Sequence, residues 1–259
     1  MNSIPTQNWI GLWSLYVREV RRFMKVYTQT LMAPMVTTLL FLAVFALALG
    51  GVDRDVAGVP FVEFLAPGLV MMSIAQNAFA NTSSSVVIAK VQGNIVDTLM
   101  PPFTPNELVL GIAMGGTTRG LVVGLVVGIV MSFFVTMSIH NVFFFLFYAC
   151  AASLMLALLG MIGGIWSEKF DHIAAVTNFV ITPLSFLSGT FYSIERLQEF
   201  GQFLAHANPF FYMIDGFRYG FTGHSDTNPM IGIAVLCGVV AILWVICHRM
   251  IASGYKLKP

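Results

Sequence analysis

Charge is what this sequence has least of. Of its 259 residues, 10% are charged and 57% are hydrophobic, and the mean hydropathy is +0.82. A soluble domain carries about 25% charged residues. With so few, a compact monomer could not cover its surface with solvated groups, so the solvent that fits it is a lipid bilayer. A soluble enzyme, a secreted disulfide scaffold and a disordered chain are excluded on that ground. Cysteine is scarce too. Cys150, Cys237 and Cys247 all lie in apolar runs, an odd number with no CxxC spacing, which predicts neither a disulfide framework nor a zinc site. The five histidines are scattered without HExxH spacing, so no metal site is expected. A phosphate loop (GxxxxGK followed by Ser or Thr) is also missing, so the chain is not itself an ATPase.

What the sequence has is apolar length. A membrane helix needs about 20 mainly apolar residues, and six stretches qualify: 31–50, 65–89, 117–139, 142–166, 173–192 and 229–248. The expected fold is an all-α membrane protein. Cationic loops stay cytoplasmic. With the N-terminus inside, that side collects Arg18, Arg21, Arg22, Lys25, Lys90, Arg119, Lys169, Arg249, Lys256 and Lys258, leaving Arg54, Arg196 and Arg218 outside. Ten against three puts both termini in the cytoplasm.

Residues 1–27 have the wrong layout for a cleaved signal peptide. Trp9, Leu12, Trp13, Tyr16, Val20, Phe23 and Tyr27 recur at helical spacing, with Arg18, Arg21, Arg22 and Lys25 on most of the other face. This predicts an amphipathic helix in the headgroup plane. The alternative is a cytoplasmic helix packed on a partner protein, and both can hold together.

Within the spans, Gly116, Gly120, Gly124 and Gly128 repeat every fourth residue and predict close helix packing, as do Gly160 and Gly164. The second span carries Gln76, Asn77 and Asn81, whose amides belong in the bundle or along a polar pathway. Lining a pathway and bonding between helices remain open for all three. Arg119, near the inner end of the third span, is expected to snorkel to the cytoplasmic interface. No Asp or Glu lies at the centre of any span, which counts against an ion-coupled carrier.

Two loops are more than connectors. In residues 90–105, Ile95, Val96, Leu99 and Met100 form a short apolar stripe, with Asn94 as N-cap and Pro101 as stop. Such a helix either meets another protein or lies on the membrane. The segment 193–228 holds an apolar stripe (Ile194, Leu197, Phe200, Leu204), a break at Asn208-Pro209 and an aromatic stretch. Neither half can span, so the pair reads as re-entrant or interfacial. Asp215 and Arg218, three apart, can pair on one helix face; an outer latch and a structural ion pair are both open.

These segments carry a resemblance. The run AKVQGNIVDTLMPPFTPNELVLG resembles the coupling-helix region of the permease subunits of type 2 ATP-binding-cassette (ABC-2 type) exporters. HANPFFYMIDGFRYGF is similar to that family's signature before the last span, and RRFMKVYTQTLMAPMVTTLLF to its approach to the first. The resemblance implies two permease copies working with a separate cytoplasmic ATPase. Arg18, Arg22, Gln92, Gly93, Asn94, Val96, Leu99, Met100 and Pro101 would then couple to that ATPase, and Asn208, Pro209, Tyr212, Asp215 and Arg218 would shape the outer exit. ATP and magnesium would sit on the partner, leaving this chain without a cofactor or catalytic residue. It would be a bacterial inner-membrane exporter of a drug, lipid or lipid-linked glycan, with membrane lipid and no nucleic acid among its partners. The competing classes are an ion- or proton-coupled secondary carrier or channel, and an intramembrane enzyme. The isolated histidines at span ends argue against the enzyme.

Overall fold

A computed structural model describes residues 8–49, 55–56, 58–194 and 197–257. Arg54, Arg196 and Lys258, counted above for orientation, lie outside the described residues, as does Gly50 at the end of the first expected span. The described residues form eleven α-helices, two π-helical turns and one hairpin of two-residue strands.

Helix α1 (Trp9–Met24) is capped by Asn8, whose side chain accepts from the Gly11 N–H at 2.9 Å. A turn and a π-helical turn (Thr28–Met32) lead into α2 (Ala33–Leu49). The hairpin β1 (Asp55–Val56) and β2 (Val59–Pro60) is antiparallel and precedes α3 (Phe61–Val91). Then come α4 (Ile95–Leu99), α5 (Pro105–Met131) and α6 (Val142–Trp166). Next are α7 (Phe170–Val176), a second π turn (Thr177–Ile181) and α8 (Thr182–Phe186). The chain ends with α9 (Glu199–Ala207), α10 (Pro209–Thr222) and α11 (Pro229–Ser253).

Five helices among the described residues are long and apolar enough to cross a membrane: Thr28–Ala48, Phe61–Val91, Pro105–Met131, Val142–Trp166 and Pro229–Ser253. The fourth expected span matches α6 at both ends, where Asn141 caps the first turn. The expected fifth span, 173–192, is instead composite. Its pieces of seven, five and five residues give about 25 Å of helix at 1.5 Å per residue. It stops before Gly189, which turns the chain at φ 72°.

The third span also differs from expectation. The helix starts at Pro105, well before residue 117, because Thr104 and Glu107 form a capping box and Pro105 takes the first helical position. It ends at Met131 rather than 139. The residues that follow serve α10, whose last carbonyls need donors. The His140 N–H donates to Phe221 O at 3.2 Å and the Asn141 N–H to Gly220 O at 2.9 Å.

Helix α3 is the axis of the bundle, packed against α2, α5, α6 and α10. Close approach is what the glycines provide. A Cβ at Gly120 would meet the Ile74 carbonyl oxygen at 2.9 Å, and one at Gly116 would meet the Ala157 Cβ at 2.9 Å. Gly124 faces the Ile74 side chain, and Gly164 lies against Ser83. Gly128 departs from the expected stripe, since nothing lies within 4 Å of a Cβ built there. It borders an apolar cavity of about 410 Å³ instead.

Hydrogen bonds gather several helix ends at one face. The Glu107 carboxylate accepts from the Asn8 N–H at 2.8 Å, tying α1 to the start of α5. The Lys90 Nζ, at the end of α3, donates to Ile165 O at 2.7 Å and Ser167 O at 2.6 Å, beside the end of α6. Lys256, just after α11, donates to Glu168 at 2.9 Å.

Candidate functional site

At that face α4 stands clear of the bundle. Gly93 (φ 74°) turns the chain out of α3, and Asn94 takes the N-cap position without making a side-chain cap bond. Ile95 and Thr98 face inward, leaving Val96, Leu99 and Met100 exposed, the last at 77%. Val96 and Leu99 on the helix and Met100 at its C-cap thus leave an exposed apolar patch. The Arg18 Nη1 donates to Thr98 Oγ1 at 3.1 Å and so fastens α4 to α1. Between the two helices runs a groove of about 850 Å³ edged by Arg18, Arg21, Arg22, Lys25, Gln92 and Asn94.

Helix α1 is seated by a stripe that shares only Phe23 with the aromatic one. Leu15, Glu19 and Phe23 are buried, whereas Trp9 and Trp13 are exposed. Glu19 is 1% exposed. Its carboxylate accepts from Ser85 Oγ at 2.9 Å, Arg22 Nη2 at 3.2 Å and Arg18 Nη2 at 3.4 Å. Arg22 therefore does not sit on an outward cationic face. It turns into the bundle, donating to Asn81 O at 2.6 Å, Asn81 Oδ1 at 3.0 Å and Ser84 Oγ at 3.1 Å. Arg22 stays partly exposed and edges the same groove as Arg18. Glu19 was illegible among its cationic neighbours; only its spacing four residues from Leu15 and Phe23 pointed inward.

The amides of α3 divide their roles. Asn81 bonds between helices. Gln76 and Asn77 line a groove of about 310 Å³ between α2, α3 and α5, with Gln29, Thr38, Ser73 and Arg119. Arg119 does not snorkel. Because α5 begins at Pro105, this residue sits near mid-helix, and its Nη2 donates to Asn77 Oδ1 at 3.2 Å.

At the opposite end, α9 leaves Phe200, Phe203 and Leu204 exposed. Helix α10 differs from an interfacial helix: Phe210, Phe211 and Phe217 are buried, and Phe145 of α6 packs on Phe217 and Phe221 at ring separations of 5.3 and 5.1 Å. Asn208 caps α10 through the Phe210 N–H at 3.0 Å and donates to Ser188 Oγ at 2.8 Å and Leu184 O at 3.2 Å, while Pro209 opens the helix. Tyr212 packs at the corner on Phe211 and His206.

Asp215 and Arg218 do not form the ion pair their spacing allows. Asp215 accepts from the backbone N–H groups of Asp226 (2.8 Å) and Thr227 (3.1 Å). Arg218, 1% exposed, lies over the Phe64 ring at 3.7 Å and donates to Gly189 O at 2.7 Å and Phe64 O at 3.3 Å. Backbone groups from other elements reach each side chain. Asp226 was missed by sequence reasoning: it holds Ser193 Oγ at 3.0 Å and the Ile194 N–H at 2.9 Å. Its signal was an Asp in a polar turn, HSDTN. Outside the spans, the hydrogen bond from Lys256 holds the Glu168 carboxyl below its ordinary range.

This is the build of a multi-pass membrane protein. The family model for the ABC-2 type transporter matches residues 11–222. The chain is 37% identical over 250 residues to the "Inner membrane transport permease YadH" of Escherichia coli (strain K12), covering 96% of this chain and 98% of that protein. It is 23% identical over 231 residues to "Nodulation protein J" of Neorhizobium galegae, covering 89% and 87%. The corresponding protein of Sinorhizobium fredii (strain NBRC 101917 / NGR234) is 24% identical over 232 residues. The chain belongs to the ABC-2 type transporter family.

Proposed function

We propose that the chain is the membrane subunit of an ATP-driven exporter of the bacterial inner membrane. Two copies work with a separate ATPase, which carries the ATP and magnesium. The cargo is amphipathic or hydrophobic: a drug, a lipid or a lipid-linked glycan. The observation that carries this reading is the exposed trio Val96, Leu99 and Met100 on α4, fastened by Arg18 to α1 beside a cationic groove. A helix this short and this apolar is of use to another protein, and the chain has no phosphate loop of its own.

Six crossings with both termini cytoplasmic are supported by the helix ends. Helices α6 and α11 both finish at the α4 face, bonded there through Lys90, Glu168 and Lys256. The chain must cross once more between them, and the composite helix α7–α8 is the segment available. Re-entry of α9 and α10 from the outer side follows, since neither is long enough to span. Arg119 does not favour the ion- or proton-coupled carrier, because a guanidinium does not release its proton near neutral pH.

The test is affinity purification of the tagged chain from its own host, followed by identification of bound proteins. A stoichiometric ATPase bearing a phosphate loop is expected. A chain that purifies without one, yet transports under an ion gradient, contradicts the proposal.

A further inference from the structure

The groove between α2, α3 and α5 holds a cation without an anion. A guanidinium has five N–H donors, and among the described residues Arg119 makes one hydrogen bond, to Asn77. Its Nε is buried with no partner. No carboxylate of the described residues pairs with it within 4.0 Å, and the charge that acts on it is Arg22, of the same sign. A partly buried cation of this kind is costly unless something anionic completes it. Beside it, the Gln29 and Gln76 amides make no side-chain hydrogen bond among the described residues, while Thr38 and Ser73 bond each other at 2.7 Å. Phe41, Leu69 and Met72 supply an apolar wall of the same cavity. The groove thus brings a cation and amide donors together with an apolar wall.

We infer that Arg119, with Gln76, forms a subsite for the anionic group (phosphate or carboxylate) of an amphipathic molecule whose apolar part lies along Phe41, Leu69 and Met72. Bidentate hydrogen bonding to such a group uses the guanidinium donors the protein leaves free. The inference rests on the exporter reading only in taking that molecule as cargo.

The permease, purified in neutral detergent, is titrated with dodecyl phosphate, dodecanoate and dodecanol, and bound states are counted by native mass spectrometry. The two anions are expected to bind about tenfold or more tightly than the alcohol, the scale of a charge-assisted hydrogen bond. Arg119→Ala should erase that preference and Arg119→Lys keep part of it. Gln76→Glu, which supplies a carboxylate beside Arg119, should also erase it. It stands as the deciding variant if Arg119→Ala does not fold. An anion preference unchanged in these variants overturns the subsite. Displacement of dodecyl phosphate by inorganic phosphate at millimolar concentration overturns the amphiphile in favour of a free anion, and failure to displace it supports the amphiphile. Binding is read without ATP or partner. Loss of the preference therefore leaves the exporter reading standing, and absence of a bound ATPase leaves this result standing.

Discussion

Helices α2 and α3 are neighbours in sequence and opposites in the fold. Of α2's most apolar stretch 11% is buried within the chain, against 83% for α3, although α3 is the one carrying Gln76, Asn77, Asn81, Thr82 and Ser83. In water the more apolar helix would be the core. In lipid the cost falls on polar groups, so the polar helix goes to the centre, where other helices can satisfy it. Asn81 meets Arg22, Asn77 meets Arg119, and Thr82 Oγ1 donates to Ala157 O at 2.7 Å. Leu40, Val44 and Leu47 of α2 are left for lipid or for a second copy. The groove with Arg119 lies on the boundary between these two regimes.

The contrast can be broken most severely near Phe64, in the first turn of α3. Arg218→Met strips the donors that Gly189 and Phe64 carbonyls use in a buried site, a loss of about 3 kcal/mol, read as a large fall in the unfolding temperature in detergent. Toward the C-terminal end of α3, Glu19→Ala leaves Arg22 without its carboxylate and frees α1 from Ser85. The cost is about 2 kcal/mol, below the range for a fully buried pair because Arg22 is partly exposed. Protease cleavage after Arg21 or Lys25 reports it as faster release of α1. On the α5 face, Gly120→Ala overpacks against the Ile74 carbonyl and Ser153 at about 1–3 kcal/mol, whereas Gly128→Ala, with open space before it, shifts stability by less than about 0.5 kcal/mol. Smallest of all, Val44→Ala on α2 should leave the folded protomer within about 0.5 kcal/mol of wild type. A large effect there would mean that α2 is covered in the protein as isolated.

Some of this was legible in the sequence. The four spans now seen as α2, α3, α6 and α11 stood out as apolar runs. So did α4, bracketed by Asn94 and Pro101. The start of α5 was legible and missed: Thr104-Pro105-Asn106-Glu107 is a capping box, and starting the span at 117 put Arg119 at a membrane edge rather than at mid-helix. The burial of α10 was not legible. Its aromatic run suits an interface as well as a core, and the choice depends on where Phe145, Tyr148 and Phe64 lie in space. The Asp215–Arg218 spacing allowed a pair, and backbone groups of residues 226–227 and 189 take those side chains instead. Local spacing says which groups can meet, and tertiary neighbours decide which do.

The central claim is that α4 receives the work of a partner ATPase. It is tested most directly by replacing Leu99 and Met100 with Asp in the tagged permease and measuring the ATPase that co-purifies per membrane-inserted chain. The bound ATPase should fall by about tenfold or more while the permease stays in the membrane at wild-type level, since two charges enter an apolar contact. Undiminished ATPase on the doubly substituted chain would contradict the account.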